Sequence, residues 1–251
     1  MLALTGGALA VSPRRVRAQS LEKVRLAGVP SDDLTNVFYA VKSGAYQKAG
    51  LDVEVIATSS GTAATTATLG GAYEIAKASP IASMAAHLRG LPVAVLGTNT
   101  MWDARSPFNV LAVAADSPVK TGADLNGKIG ASPALNDINQ LCISAWVDRN
   151  GGDARTMKWV ELPLSALPAA LEEHRVDAAC LLEPVLTAAK DSGKVRVLTP
   201  GFDAIARRFC IGLFMTNADW AAKHADVIRT WLKVTYEAGA YCMRTGPKRR
   251  R

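Results

Sequence analysis

The chain has no Cys-x-x-Cys pair and only three histidines in 251 residues. His87, His174 and His224 are far apart and fall among charged or small residues, so helical positions with solvated or capping roles are expected. Nothing has metal-ligand spacing, and no metal or cofactor is expected. The four cysteines are Cys142, Cys180, Cys210 and Cys242. The first three sit in apolar stretches, where a thiol usually behaves as a small buried hydrophobe, so a disulfide framework is not expected. No G-x-x-x-x-G-K-[ST] occurs, which removes P-loop phosphate chemistry, and no G-x-G-x-x-G follows a strand. "GASPA" at Gly130–Ala134 approaches G-x-S-x-G but lacks its final glycine. No apolar run reaches the roughly 18 residues of a membrane-spanning helix.

Acidic residues are missing from both ends. Residues 1–18 hold Arg14, Arg15 and Arg17, and residues 244–251 hold Arg244, Lys248, Arg249, Arg250 and Arg251. Removing those eight charges from the net +7 leaves the body at −1. A nucleic-acid binder keeps its basic charge on a folded face, so no nucleic-acid partner is expected. The opening "MLALTGGALAVSPRRVRAQS" looks like part of an export signal, with a short apolar core and a cleavage point after Ala18. Its glycine-containing core followed by arginines resembles signals of the twin-arginine route, whose arginine pair would lie upstream of Met1. Residues 1–18 are therefore read as an export-signal remnant of a periplasmic protein.

What is present is alternation. "KVRLAGV", "LDVEVIA", "AYEIAKA", "PVAVLGT" and "FNVLAVAA" read as strands, with helices between them at "TNVFYAVKSGAYQKAG", "GTAATTATLGG" and "PIASMAAHLRG". "NTMWDARSP" reads as a loop. A second set follows: strands "KIGAS", "MKWVELP", "VDAACLL", "KVRVLTP" and "RFCIGLFMTN", with helices at "NDINQLCISAWVDRNGG", "LSALPAALEEHR" and "EPVLTAAKDSG" and a long helix "ADWAAKHADVIRTWLKVTYEAGAY". This is an α/β pattern with a largely parallel sheet in each half. The halves share an order, in which Glu74 matches Asp177, Ser79 matches Glu183 and Pro80 matches Pro184. Two similar lobes would turn their strand carboxyl ends toward one cleft, where ligands bind in open α/β sheets.

The stretches "FYAVKSGAYQKAGLDVEVI", "SSGTAATTATLGGAYEIAKASP", "ADLNGKIGAS" and "LPLSALPAALEEHRVDAACLLEPVLTAA" resemble an ABC-transporter substrate-binding protein. The group resembled binds nitrate, sulfonates, taurine and the pyrimidine precursor of thiamine, and the likeness covers residues 22–241. It implies a two-lobed type II periplasmic-binding fold, a monomer, a small-molecule ligand and a membrane permease as partner. Lobe 1 is expected over 19–110 and 205–241, and lobe 2 over 111–204. Residues 242–251, "CMRTGPKRRR", read as an aberrant basic tail replacing the closing helices of lobe 1. Pyrimidine-synthesising relatives of the superfamily use a cysteine-rich iron motif and an active-site histidine. Only an isolated Cys142 falls in the comparable region here, which argues against that enzymatic alternative. The sensor lobe of a regulator is a third reading, weakened by the export signal.

The candidate ligand contacts come from strand ends. Ser59, Ser60 and Thr62 offer hydroxyls and Gly61 permits close backbone approach, at a helix start whose N–H groups are free. Ser79, Asn136, Asp137 and Glu183 stand at other helix starts, where N-capping or a dipole-matched acid is the competing role. Asp33 and Thr35 follow the first strand and compete with plain turn chemistry. Tyr39 and Trp102 are candidate stacking faces, Trp102 because packing explains a loop aromatic less readily. The loops themselves contribute no Lys or Arg. Carboxylates then favour a ligand that donates N–H groups: an amine-bearing heterocycle such as an aminopyrimidine first, an amino-sulfonate second, nitrate third.

Overall fold

The structure is a computed structural model and describes residues 20–245. The expected export segment 1–18 and the last six residues of the basic tail lie outside the described residues. Among the described residues, ten strands form two five-stranded sheets. The first holds β1 (Glu22–Gly28), β2 (Leu51–Ala57), β3 (Ile75–Ala78), β4 (Val93–Asp103) and, from far along the chain, β10 (Arg208–Asn217), in the order β2-β1-β3-β10-β4. The second holds β5 (Asn109–Ala114), β6 (Ile129–Ser132), β7 (Lys158–Glu161), β8 (Ala178–Leu182) and β9 (Val195–Pro200), in the order β7-β6-β8-β5-β9.

The two orders are the same topology. In each sheet three strands pair in parallel, and one strand from elsewhere in the chain runs antiparallel between the third and last. That inserted strand is β10 in the first lobe and β5 in the second, so the chain crosses between lobes after β4 and after β9. The Glu74–Asp177 match has one physical cause. Glu74 donates its N–H to Arg25 O at 3.2 Å and accepts the Arg25 N–H on its carboxylate at 2.6 Å. Asp177 donates to Ile129 O at 2.8 Å and accepts the Ile129 N–H at 2.8 Å. Each acid thus closes the ladder where its own strand starts to pair, β3 on β1 and β8 on β6.

The helices are α1 (Thr35–Lys42), α2 (Ala45–Lys48), α3 (Gly61–Leu69), α4 (Pro80–Leu88), α5 (Ile138–Arg149), α6 (Leu167–Glu172), α7 (Val185–Asp191), α8 (Ala218–Lys223) and α9 (Ala225–Thr245). α3, made only of small residues and one leucine, buries Ala64, Thr65 and Thr68 against β1 and β3 and so lies close to the sheet. α9 lays Trp231, Val234 and Ala238 on a core with Val24, Leu26 and Phe214. Trp231 meets Phe214 edge-on at 4.7 Å.

Three expectations change. The segment read as the loop "NTMWDARSP" begins inside β4, which β10 holds in antiparallel register through Arg208↔Asp103. The single long helix is broken at His224, whose φ of −126° ends α8. His224 stacks on Trp220, and His174 lies outside α6 at φ 53°, 3.3 Å from Asp116, so only His87 is helical. α9 runs through Thr245 and so takes in Cys242–Thr245 of the expected basic tail.

Candidate functional site

A cavity of about 90 Å³ lies where the strand ends of the two lobes meet. Three helix starts reach it. α3 is capped by Ser60, whose Oγ accepts the Ala63 N–H at 3.1 Å, and α4 by Ser79, whose Oγ accepts the Ala82 N–H at 3.1 Å. From the second lobe, Asp137 caps α5 by accepting from Asn139 N at 2.9 Å and Gln140 N at 3.0 Å. Each cap satisfies donors deeper in its first turn and leaves the outermost N–H groups, such as those of Gly61 and Thr62, without an intrahelical acceptor. The small residues of α3 therefore serve both purposes: close packing along the helix and bare backbone at its start.

Of the sequence candidates, Asp33, Ser60, Gly61, Thr62, Ser79 and Asp137 line this cavity. The other six are not brought to it. Ser59 is exposed one residue before the cap, and Thr35 is exposed with its hydroxyl donating to Asp32 O at 2.6 Å. Asn136 takes the left-handed backbone (φ 57°) that positions the α5 cap, and its N–H goes to Gln140 Oε1. Glu183 accepts from Thr187 N at 3.1 Å and Thr187 Oγ1 at 2.8 Å, an acid serving the start of its own helix, the role that competed with ligand binding. Tyr39 stacks on Tyr241 at 4.9 Å in a separate surface groove. Trp102 is fully buried in β4, donates its indole N–H to Asp203 at 2.9 Å and packs on Phe108 and Phe202. It is a core residue at the crossover, which explains an aromatic there by packing.

Residues not singled out in the sequence complete the lining. Lys77, on β3, brings a cation and pairs with Asp33, both largely buried. A lysine in an otherwise apolar strand was the available signal, since a charge is rarely buried without a partner. Phe108 and Phe202 supply aromatic wall, and Asn109 and Asn139 supply amides. Asn109 is fully buried, and neither its Nδ2 nor its Oδ1 has a partner among the described residues. Asn139 donates Nδ2 to Asp137 at 3.0 Å and leaves Oδ1 buried and unpaired. Burial pushes the Asp137 carboxyl up, outweighing the donors from Ser132, Gln140 and Asn139 that favour its charged form. Among the described residues no cluster of His, Cys, Asp and Glu fits a metal ion.

Two α/β lobes of identical strand order, joined by two crossings around a shared cavity, are the two-lobed periplasmic-binding fold. Solved structures agree. The chain superposes on the periplasmic aliphatic sulphonate-binding protein SsuA of Escherichia coli at TM-score 0.70 and 22% identity, covering 89% of this chain and 75% of that one. The alkanesulfonate-binding protein SsuA of Xanthomonas axonopodis pv. citri, bound to MOPS, gives 0.76 at 17%, covering 90% and 76%. The periplasmic nitrate-binding protein NrtA of Synechocystis PCC 6803 gives 0.75 at 16%, covering 88% and 62%. Those three are binding proteins by name, not enzymes. Residues 31–248 match the family described as NMT1/THI5 like, and the chain belongs to that family. No curated protein sequence matches it.

Proposed function

We propose that the protein is the extracytoplasmic solute-binding component of an ABC importer, a monomer that holds a small polar molecule between its lobes and delivers it to a membrane permease. The fold, the family and an interlobe cavity with free helix starts support that reading. The ligand it favours is an amine-bearing planar heterocycle of the aminopyrimidine type. One observation carries this choice: Asn109 offers an adjacent donor and acceptor, both buried and unpaired, in the cavity wall. That fork matches the acceptor-nitrogen and amino edge of an aminopyrimidine, as Asn and Gln match adenine. Asn139 Oδ1 adds an acceptor, and Phe108 and Phe202 add flat apolar surface.

Lys77 and the three helix starts favour a second reading, an amino-sulfonate. Its sulfonate would meet Lys77 and the Gly61–Thr62 amides while its amine meets Asp33 or Asp137. A lone anion such as nitrate is weaker on this ground, since the same lining holds two carboxyl groups. Mass spectrometry of small molecules released from the purified protein tests the choice directly, with calorimetry against 4-aminopyrimidine, taurine and nitrate. Tight nitrate binding with no response to 4-aminopyrimidine would discard the heterocycle. A covalently altered ligand on release would discard the binding-protein reading.

A further inference from the structure

Beneath the cavity lie two thiols with no part in the ligand contacts. Cys142 is on α5 and Cys180 is in β8. They are 38 residues apart in sequence, yet their Sγ atoms are 3.3 Å apart and both are buried. Each is tied to the cavity wall. Cys142 follows the cavity residue Asn139 by one turn of α5, so the two share a helix face. Cys180 precedes the cavity residue Leu182 by two in β8, so those side chains share a sheet face. The Cys142 thiol donates to Gly201 O at 2.9 Å, and Gly201 lies so close to Asn109 that a Cβ there would collide with Asn109 Oδ1.

We propose that Cys142 and Cys180 are a redox site, closing to an intramolecular disulfide that staples α5 to β8 under the ligand cavity. A disulfide sulfur pair is about 2.05 Å apart, so the two atoms must approach by roughly 1.2 Å, a side-chain adjustment with a small shift of α5. The oxidant is a small-molecule disulfide such as oxidised glutathione, which reaches the two buried thiols through local opening of the lobe. One cysteine, as thiolate, attacks the oxidant disulfide and displaces a thiolate, giving a mixed disulfide. The second cysteine, as thiolate, attacks the protein sulfur of that bond and displaces the other thiolate. One protein S–S bond forms, the oxidant S–S bond breaks, and the two cysteine protons end on the two released thiols. The neighbouring Cys142 and burial hold the Cys180 thiol well above its ordinary pKa, so the thiolate that the exchange needs forms slowly there.

Closure has a consequence for the site. The Gly201 carbonyl loses its thiol donor, and that residue abuts Asn109. The α5 start, with Asp137 and Asn139, becomes anchored covalently to the strand behind it. Ligand affinity and redox state are thereby coupled through the second-lobe wall.

The test uses the native full chain without ligand, so it stands apart from the ligand assignment. The protein is incubated with oxidised glutathione, alkylated, digested and mapped. The expected product is a Cys142–Cys180 cross-linked peptide two hydrogens lighter than its reduced parts, reversed by dithiothreitol. The oxidised protein is expected to melt roughly 5 °C or more above the reduced one, as a cross-link closing a loop of this length should do. A variant carrying Cys210→Ser and Cys242→Ser, which leaves the pair intact, is expected to give the same peptide and the same shift. Recovery of Cys142 and Cys180 only as separately alkylated peptides after oxidation of the native chain overturns the proposal. So does a cross-link that forms only after denaturation, or one that lowers the melting temperature.

Discussion

Asn109→Ala separates ligand binding from folding, because the structure gives the two effects different signs. The Asn109 side chain is fully buried, and both amide atoms lack protein partners. Removing it from the ligand-free protein deletes two desolvated groups, a relief of roughly 2–6 kcal/mol at the usual 1–3 kcal/mol for each buried unsatisfied polar group. Against that stand the lost packing of a short side chain and the space it leaves, on the order of 1–2 kcal/mol. The relief outweighs the loss, so the ligand-free melting temperature should stay level or rise, by roughly 2–4 °C for each kcal/mol in a chain of this size. Binding should respond differently. Two lost hydrogen bonds at about 0.5–1.5 kcal/mol each weaken affinity by roughly 5- to 150-fold. Thermal denaturation without ligand and calorimetry with 4-aminopyrimidine read the two quantities on the same preparation. A melting temperature more than about 10 °C lower, with affinity unchanged, would refute the reasoning and make the amide a structural group.

The remaining predictions follow from other parts of the structure. Burial opposes ionisation of Glu74, but the Arg25 side-chain donors, its backbone N–H and its charge outweigh that and hold the carboxyl below its ordinary value of 4.5. Its contribution to stability is therefore fully present above that value and is lost as pH falls through the depressed folded pKa. Glu74→Gln should be less stable by about 1–3 kcal/mol in urea titrations at pH 7, and the gap to the parent should close in strong acid. Gly122→Ala should destabilise by roughly 3 kcal/mol or more, since its Cβ would overlap the Val147 carbonyl and crowd Asn150 O, both backbone. A melting temperature within a degree of the parent would contradict it. The two crossings between lobes should permit rigid-body closure, so small-angle scattering should give a smaller radius of gyration at saturating ligand. No change on saturation would count against a closing cleft.

Much of the architecture was legible in residue order, because period-2 and helical patterns depend on local chemistry. The two-lobe topology showed through in the Glu74 and Asp177 positions because each acid performs the same task, bonding β1 or β6 just before the parallel strand that follows it. Helix starts were readable for the same reason: Ser60, Ser79 and Asp137 cap the backbone that follows them within three residues. The candidate cavity lining was legible where it coincided with such starts and at Asp33, which follows the first strand. Glu183 and Asn136 satisfy the same sequence pattern and spend it on their own helices, and nothing in local sequence distinguishes the two outcomes. Long-range pairing decided the rest. β10 extends β4 as far as Asp103 and so turns an expected loop aromatic, Trp102, into buried core. The cavity wall takes Lys77, Phe108, Asn109 and Phe202 from strand and crossover positions that meet only when the second lobe is set against the first. A local pattern determines which backbone a residue adopts. Which atoms face a residue across a cleft depends on chain segments dozens of positions away, and only the assembled lobes supply those partners.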